Sequence, residues 1–210
     1  HLNWDASQWA RPFINTNKKG PKLASFHDIL KPGDIIRVQS YQSKGDSTDQ
    51  WQLSQVPKAQ SALVSLNPKN GAILALVGGF DFQTSKYNRA IQSGRQAGSN
   101  FKPFVYSAAL SSGMTAATVM NDSPLVFKDK KLESTWRPEN SGGRFGGFTR
   151  LREALYRSKN LVSIRVLQQT GVRFTINYAE KFGFDKTKLP DNLSLAIGFA
   201  EPTPKKQAQG

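Results

Sequence analysis

Two residues, Ser99 and Lys102, have the types and the spacing that covalent catalysis requires. They lie in the stretch Gly-Ser-Asn-Phe-Lys-Pro-Phe-Val-Tyr at positions 98–106, where an apolar segment begins. A serine hydroxyl is a weak nucleophile unless a base lies within hydrogen-bond reach, and residues three apart share one face of a helix. The spacing therefore predicts a serine nucleophile that becomes acylated, with Lys102 as its general base.

A second polar pair, Ser158 and Asn160, begins 59 residues after Ser99. The Ser158 hydroxyl can relay a proton to a leaving amine, and the Asn160 amide can donate to a substrate backbone or hold Lys102 in place. A lysine partly buried between the two motifs loses its charge readily, because desolvation lowers its pKa. The sequence therefore predicts a catalytic site built from these four residues.

Each of these residues also has an ordinary structural interpretation. Ser99 at a helix start can serve as the cap, and Lys102 can be a surface lysine whose stem lies along the helix. Ser65 and Asn67 share the Ser-x-Asn spacing, but they lead into a predicted turn and are assigned to it. The catalytic interpretation is favoured because the two motifs occur together.

The remaining residue types exclude several other chemistries. The chain has no cysteine, which excludes disulfides, thiolate metal sites and cysteine nucleophiles. His1 and His27 have no acidic or serine partner nearby in sequence, which disfavours a Ser-His-Asp triad. No histidine or carboxylate cluster has the spacing of metal ligands. We therefore predict neither a metal nor a cofactor.

Local patterns predict the elements that position the site. Gly98 permits a sharp entry into a helix that runs to about Ser112 and stops at Gly113. An apolar stripe marks its buried face, namely Phe101, Val105, Ala108 and Ala109. Residues 114–148, rich in Gly, Asn, Ser and Pro, are predicted to be mostly loop. Thr149 is predicted to cap a helix through Tyr156, and a second helix is predicted over 161–170.

Ser158 and Asn160 then fall in a tight connection between two helices, from which side chains can project into a cleft. Residues 61–66 and 72–77, joined by the turn Asn-Pro-Lys-Asn-Gly, predict a β-hairpin. Its strands are apolar on both faces, which predicts a place inside a sheet covered on each side. Thr203 followed by Pro204 predicts the start of a further helix that the chain cuts off.

Residues 1–60 differ from the rest and indicate part of a small β module. Strands are predicted near 35–40 and 50–54, with a polar loop tip over 43–49. Trp4, Trp9 and Trp51 are predicted to form its small core. The chain begins at His1 rather than Met, which suggests a piece of a longer protein.

Composition limits the partners. The net charge is +14 at pH 7, which suits an anionic partner such as a nucleic acid, lipid headgroups or a glycan. No nucleic-acid motif is present, so we predict no nucleic-acid binding. The longest apolar stretches are far shorter than the ~20 residues that span a bilayer, and no signal peptide is visible.

Ser-x-x-Lys followed by Ser-x-Asn is typical of penicillin-binding proteins and serine β-lactamases. Beyond the motifs, the chain closely resembles the transpeptidase domain of class A penicillin-binding proteins of the 1A type. The matching stretches all lie within 61–200, namely 62–80, 87–90, 95–104, 136–140, 151–155 and 158–160. The resemblance implies an α+β fold, with an antiparallel sheet flanked by helices, over 61–210 and a partial OB-like module over 1–60.

The same resemblance implies a function and a location. The family contains D,D-transpeptidases that crosslink peptidoglycan stem peptides delivered on a lipid-linked precursor and that are acylated by β-lactams. It implies Ser99 as nucleophile, Lys102 as base, and Ser158 with Asn160 as the second catalytic element. It also implies a membrane-anchored parent enzyme with a glycosyltransferase domain at the periplasmic face of the bacterial inner membrane. An outer-membrane lipoprotein activator is implied as a partner of the OB-like module.

This chain departs from the family pattern in one respect: no position matches the third motif, Lys-Thr-Gly or Lys-Ser-Gly. The departure predicts that these residues alone are acylated very slowly. Two other functions remain open. A serine β-lactamase needs a carboxylate that activates water, for which Glu133, Glu139 and Glu153 are candidates. A non-catalytic sensor or interaction domain would keep the fold and lose acylation.

Overall fold

The computed structural model describes residues 1–42, 48–129 and 134–210, with side chains described outside 128–135. The chain divides into two compact units, His1–Ala59 and Gln60–Gly210, and each is described by itself. Most of the predicted loop tip over 43–49, and Glu133, lie outside the described residues.

The first unit consists of short antiparallel ribbons. Strand β1 (Phe13–Asn15) pairs with β2 (Lys18–Lys19), and β3 (Arg37–Tyr41) pairs with β4 (Gln50–Ser54). The predicted strands near 35–40 and 50–54 are therefore confirmed.

The predicted tryptophan core of this unit is wrong. Trp4 packs edge-on against Phe26, with ring centroids 4.8 Å apart, but Trp9 and Trp51 are exposed. The first turn instead buries Ser7, whose hydroxyl donates to the Asn3 carbonyl at 2.7 Å and accepts from the Leu53 amide at 3.0 Å. Polar backbone contacts, rather than indole packing, join this turn to β4.

The second unit contains more helix than strand, and its strands are short. Its strands are β5 (Leu63–Leu66), β6 (Ile73–Val77), β7 (Val119–Asp122), β8 (Phe127–Asp129), β9 (Ser134–Trp136) and β10 (Gly147–Arg150). Its helices are α1 (Arg89–Gln92), α2 (Lys102–Ser111), α3 (Leu151–Tyr156), α4 (Asn160–Thr170), α5 (Val172–Glu180) and α6 (Pro204–Gln209). In the described part of the chain, each strand pairs with a single antiparallel partner: β5 with β6, β7 with β10, and β8 with β9.

The core of this unit lies between α2, α3, α4 and α5. The predicted stripe on α2 is fully buried at Phe101, Val105, Ala108 and Ala109, which confirms that prediction. Phe101 also meets Phe184 at 5.2 Å between ring centroids, which joins the start of α2 to the chain that follows α5. Burial of each large apolar side chain contributes about 1.5–3 kcal/mol, so the start of α2 is firmly held.

The hairpin prediction is right in pairing and wrong in burial. Leu63 lies opposite Val77, and Asn67 caps the turn by accepting the Lys69 amide at 2.9 Å. However, Leu63, Leu74 and Val77 are more than half exposed. Within the described residues the sheet has two strands, and these exposed side chains show that it is not covered on each side as predicted.

Of two further predictions, one is confirmed and one requires correction. Most of the described positions in 114–148 are loop, as predicted, although β7 pairs with β10 and β8 pairs with β9 across this segment. Thr149 does not cap α3: it lies in β10, its hydroxyl donates to the Gly147 carbonyl, and the cap position falls on Arg150. Asn, Ser and Gly suppress the strand signal here, while pairing to β7 supplies the backbone bonds.

The other helix ends agree with prediction. Helices α2 and α4 end just before the predicted glycines, Gly113 and Gly171, whose φ values are +99° and +93°. Helix α6 starts after Thr203, as predicted. The Thr203 hydroxyl accepts the Lys206 amide at 3.3 Å, and Pro204 is the first residue of α6. Among the described residues, none of the helices combines the length and apolar character of a membrane span.

Candidate active site

Lys102 lies at the centre of the candidate site, at the first residue of α2. Its side chain is only 1% exposed. Its Nζ donates to three oxygens: the Ser158 carbonyl at 2.7 Å, the Asn160 Oδ1 at 2.7 Å and the Ser158 Oγ at 3.0 Å. The structure therefore brings together three of the four predicted residues, Lys102, Ser158 and Asn160.

The three partners of Lys102 differ in what they can do with a proton. The Ser158 carbonyl and the Asn160 Oδ1 are acceptors only, whereas a hydroxyl can donate or accept. A charged ammonium uses all three of its donors on these oxygens. A neutral amine satisfies the two obligatory acceptors with its two hydrogens and directs its lone pair at the Ser158 hydroxyl. Ser158 is therefore the partner through which Lys102 can gain or lose a proton.

The orientation of the Asn160 amide follows from a second contact. Its Nδ2 donates to the Glu139 carbonyl at 2.8 Å, so Oδ1 faces Lys102. Burial lowers the pKa of Lys102 from 10.5 to about 8. A lysine with this pKa is neutral in a useful fraction of molecules near neutral pH, as a general base requires.

Ser158 lies in the connection between α3 and α4, as predicted. Its backbone has φ of +52°, the only positive φ at a non-glycine residue in the described chain. A left-handed conformation at a residue with a Cβ is uncommon and is held by its surroundings. Here the Ser158 amide donates to the Leu155 carbonyl at 2.9 Å, while its own carbonyl accepts from Lys102. The strained turn therefore presents both oxygens of Ser158 to one amine.

Ser99 lies in a short 3-10 turn, Gly98–Phe101, directly before α2. It is exposed, and within the described residues its hydroxyl makes no hydrogen bond. Sequence reasoning placed Lys102 within its reach, but the amine is instead bonded to Ser158 and Asn160. The structure therefore places Ser99 one turn before Lys102 without a direct hydrogen bond between them.

Residues far along the chain hold the turn that carries Ser99. The Gly98 amide donates to the Gly198 carbonyl at 3.0 Å, and the Ala97 amide donates to the Ala200 carbonyl at 2.9 Å. Gly198 has φ of +79°, and a Cβ there would collide with the Gly98 carbonyl. The close approach therefore requires a glycine at 198.

Sequence reasoning missed three residues that support the site. Asp122, at the end of β7, is fully buried and accepts from the Lys159 Nζ at 2.8 Å and the Asn140 Nδ2 at 2.7 Å. The Asn140 Oδ1 accepts a hydrogen bond from the backbone amide of Asn160 at 2.9 Å. Burial by itself would raise the pKa of Asp122, but hydrogen bonds from Lys159, Asn140 and Gly146 lower it below its ordinary value. No local motif links these positions, so spacing alone offered no signal.

The other candidate groups lie elsewhere. Glu153 pairs with Arg157 on the surface of α3 at 3.3 Å, and the Glu139 side chain is exposed. No group of three or more His, Asp or Glu residues suited to a metal occurs among the described positions. The geometry suits acyl transfer by a serine with a buried lysine nearby.

Comparison with known proteins identifies the family. Residues 61–204 match the family described as penicillin binding protein transpeptidase domain, and residues 1–59 match the penicillin-binding protein OB-like domain. The chain belongs to the penicillin-binding proteins. This confirms the resemblance stated from the motifs, and with it the transpeptidase type of fold preceded by an OB-like module.

Individual relatives of this penicillin-binding protein agree. Penicillin-binding protein 1A of Pseudomonas aeruginosa is 53% identical over 97% of the chain and 24% of that protein. The Escherichia coli protein of the same name is 44% identical over 100% of the chain and 24% of that protein. A crystal structure of penicillin-binding protein 1A from Haemophilus influenzae superimposes with a TM-score of 0.78 at 40% identity, over 97% of this chain and 27% of that one. The chain thus spans about a quarter of these relatives.

Proposed function

We propose that this chain carries the acylation site of a peptidoglycan D,D-transpeptidase that β-lactams inhibit. The observation that carries the proposal is the buried Lys102 amine, bonded to Ser158 and Asn160 one turn after Ser99. Membership of the penicillin-binding family supports the choice of stem peptides as substrate and of β-lactams as ligands.

The proposed reaction begins at Ser99. Its Oγ attacks the carbonyl carbon of the scissile D-alanyl-D-alanine bond or of a β-lactam ring. Neutral Lys102 takes the serine proton, and an oxygen–carbon bond forms as the carbon–nitrogen bond breaks. The proton passes through the Ser158 hydroxyl to the leaving nitrogen. In transfer, the amine of a second stem peptide attacks the acyl carbon, the ester bond to Ser99 breaks, and the proton of the amine returns to the Ser99 oxygen.

Ser99 must approach Lys102 or Ser158 for this proton transfer. Catalytic hydrogen bonds are often long or absent in the free enzyme and tighten when substrate binds. The exposed Ser99 hydroxyl is accessible to a substrate, and a bound substrate would exclude water from it.

The wider setting is also proposed. The anionic peptidoglycan precursor suits the net charge of +14. By family likeness the enzyme acts at the periplasmic face of the inner membrane, as part of a longer protein with a glycosyltransferase domain. Its OB-like module is the proposed contact for an outer-membrane lipoprotein activator. Neither a cofactor nor a nucleic acid takes part.

The test uses a chimera in which these 210 residues replace the matching region of Pseudomonas aeruginosa penicillin-binding protein 1A. Incubation with benzylpenicillin should add one penicilloyl group to the intact mass, and the adduct should persist for hours. A transpeptidase lacks the activated water that a β-lactamase uses to release the acyl group. Release within seconds would indicate a β-lactamase, and no adduct at all would indicate a non-catalytic domain.

The acylation rate of the chimera should rise with pH. Only neutral Lys102 accepts the serine proton, and the pKa of Lys102 is about 8, so the neutral fraction grows from roughly a tenth at pH 7 to about nine tenths at pH 9. Stopped-flow acylation by a chromogenic cephalosporin should therefore quicken about tenfold over this interval. A rate independent of pH between 6 and 9 would contradict a lysine base with this pKa.

A further inference from the structure

We propose that Asp122 and Asn140 form a positioning unit. This unit fixes the connection that carries Ser158, Lys159 and Asn160, and it directs the side-chain Oδ1 of Asn160 at Lys102. Neither residue contacts the reacting atoms, so both act through Lys159 and Asn160. The inference deepens the proposed function and rests on it for its catalytic readout.

Several hydrogen bonds meet at the connection that carries Ser158, Lys159 and Asn160. The Asn140 Oδ1 accepts hydrogen bonds from two backbone amides at the start of α4, those of Asn160 at 2.9 Å and of Leu161 at 3.3 Å. The first amides of a helix have no partner within the helix, so a side-chain acceptor there sets where the helix begins. Asn140 is thus the cap of α4, supplied from 20 residues earlier in the chain.

The Asn140 side chain is itself held in place by hydrogen bonds. Its Nδ2 donates to the Asp122 Oδ1 at 2.7 Å and to the Arg144 carbonyl at 3.0 Å, which leaves its Oδ1 directed at α4. The other Asp122 oxygen accepts the Gly146 amide and the Lys159 Nζ, both at 2.8 Å. Asp122 is fully buried and Asn140 nearly so. A buried network that is fully satisfied is rigid, because each broken bond leaves an unpaired group.

Each residue of the connection makes a hydrogen bond or an ion pair. The Ser158 carbonyl accepts from the Lys102 Nζ, and Lys159 forms an ion pair with Asp122. The backbone amide of Asn160 donates to the Asn140 Oδ1. The Asn160 side chain is further held by the carbonyl of Glu139, the neighbour of Asn140. A shift of the 139–140 backbone would therefore move both groups that orient the Asn160 Oδ1.

The test exchanges the two side chains in the chimera. Asn140→Asp places two carboxylates together, and Asp122→Asn removes the partner of Lys159. Each single variant should slow the acylation step about tenfold or more, since small misplacements of catalytic groups are costly. The double variant keeps one carboxylate and one amide, with the hydrogen bond between them reversed and an aspartate at the start of α4. It should be acylated faster than either single variant and slower than the parent, because the Arg144 carbonyl loses its donor and Lys159 faces an amide in place of a carboxylate.

Two readouts separate positioning from stability. Asn88→Ala, which removes the side-chain cap of α1, is the matched control: it should lower the unfolding temperature comparably and leave the acylation rate constant unchanged. Hydrogen exchange, which needs no acylation, is the second readout. In Asn140→Ala the backbone amides of Asn160 and Leu161 should exchange faster, and the increase should be larger than at the other amides of α4.

Normal acylation in all variants, or no recovery of the rate in the double variant, would overturn the proposal while the proposed function stands. Loss of acylation in the parent chimera would overturn the proposed function, and amide exchange would still decide the positioning role.

Discussion

Ser99→Ala is expected to abolish acylation of the chimera by a fluorescent penicillin. The substitution removes the one atom that would form the ester, so no adduct should appear even after hours. The exposed hydroxyl makes no hydrogen bond in the described structure, so folding should be affected by no more than about 0.5 kcal/mol. Gel fluorescence and intact mass measure the adduct, and thermal unfolding measures the stability.

Ser111→Ala is the matched control, since Ser111 is an exposed serine at the end of α2, the helix that follows the turn of Ser99. It should be labelled like the parent. Full labelling of Ser99→Ala would show that another residue is the nucleophile. Peptide mapping of the parent adduct would then identify that residue directly.

Lys102→Arg is expected to slow acylation by on the order of 10² or more, in line with general-base contributions of ~10²–10⁴. The guanidinium keeps the positive charge but cannot lose its proton, and its planar fork does not match three oxygens arranged around one nitrogen. Stopped-flow acylation rates measure the loss. A normal rate would show that positive charge, rather than proton transfer, is what Lys102 supplies.

Because Lys102 is buried, its replacement by arginine can also disturb packing, so further variants are needed for comparison. Lys102→Met, of similar length and without charge, should lose the same activity for lack of a base, and circular dichroism establishes whether each variant is folded. Lys181→Arg, on an exposed lysine, should behave as the parent. Asn160→Ala should lose less than Lys102→Arg, since it removes one acceptor and leaves the amine in place.

The helices of the site could be predicted because their signals are local. The apolar stripe that begins at Phe101, the stops at Gly113 and Gly171, and the start at Thr203 depend on residues within one or two turns. The connection that carries Ser158 followed from two helix ends. The family resemblance was predictable as well, because it depends on strings of residues and not on geometry.

The rest could not be predicted, because it depends on partners distant in sequence. β7 and β10 carry weak strand signals and are stabilised by pairing with each other. Trp9 and Trp51 are large apolar residues of the type found in protein cores, yet both are exposed, and the first turn of the chain buries Ser7 instead. Asn140 caps α4 from 20 positions away, which no window of sequence reveals. The roles of Ser99, Lys102, Ser158 and Asn160 stay predictions until acylation is measured.

The pairing of Gly98 with Gly198 has a consequence for how this region folds. The turn that carries Ser99 is completed by a segment synthesised much later, and the Gln207 side chain adds a bond to the Asn100 carbonyl across 107 positions. Closing so long a loop costs conformational entropy before any contact forms, so such pairings form late in folding. The helical core can assemble on a nascent chain, whereas the reactive serine acquires its final geometry only after residue 200 has been made.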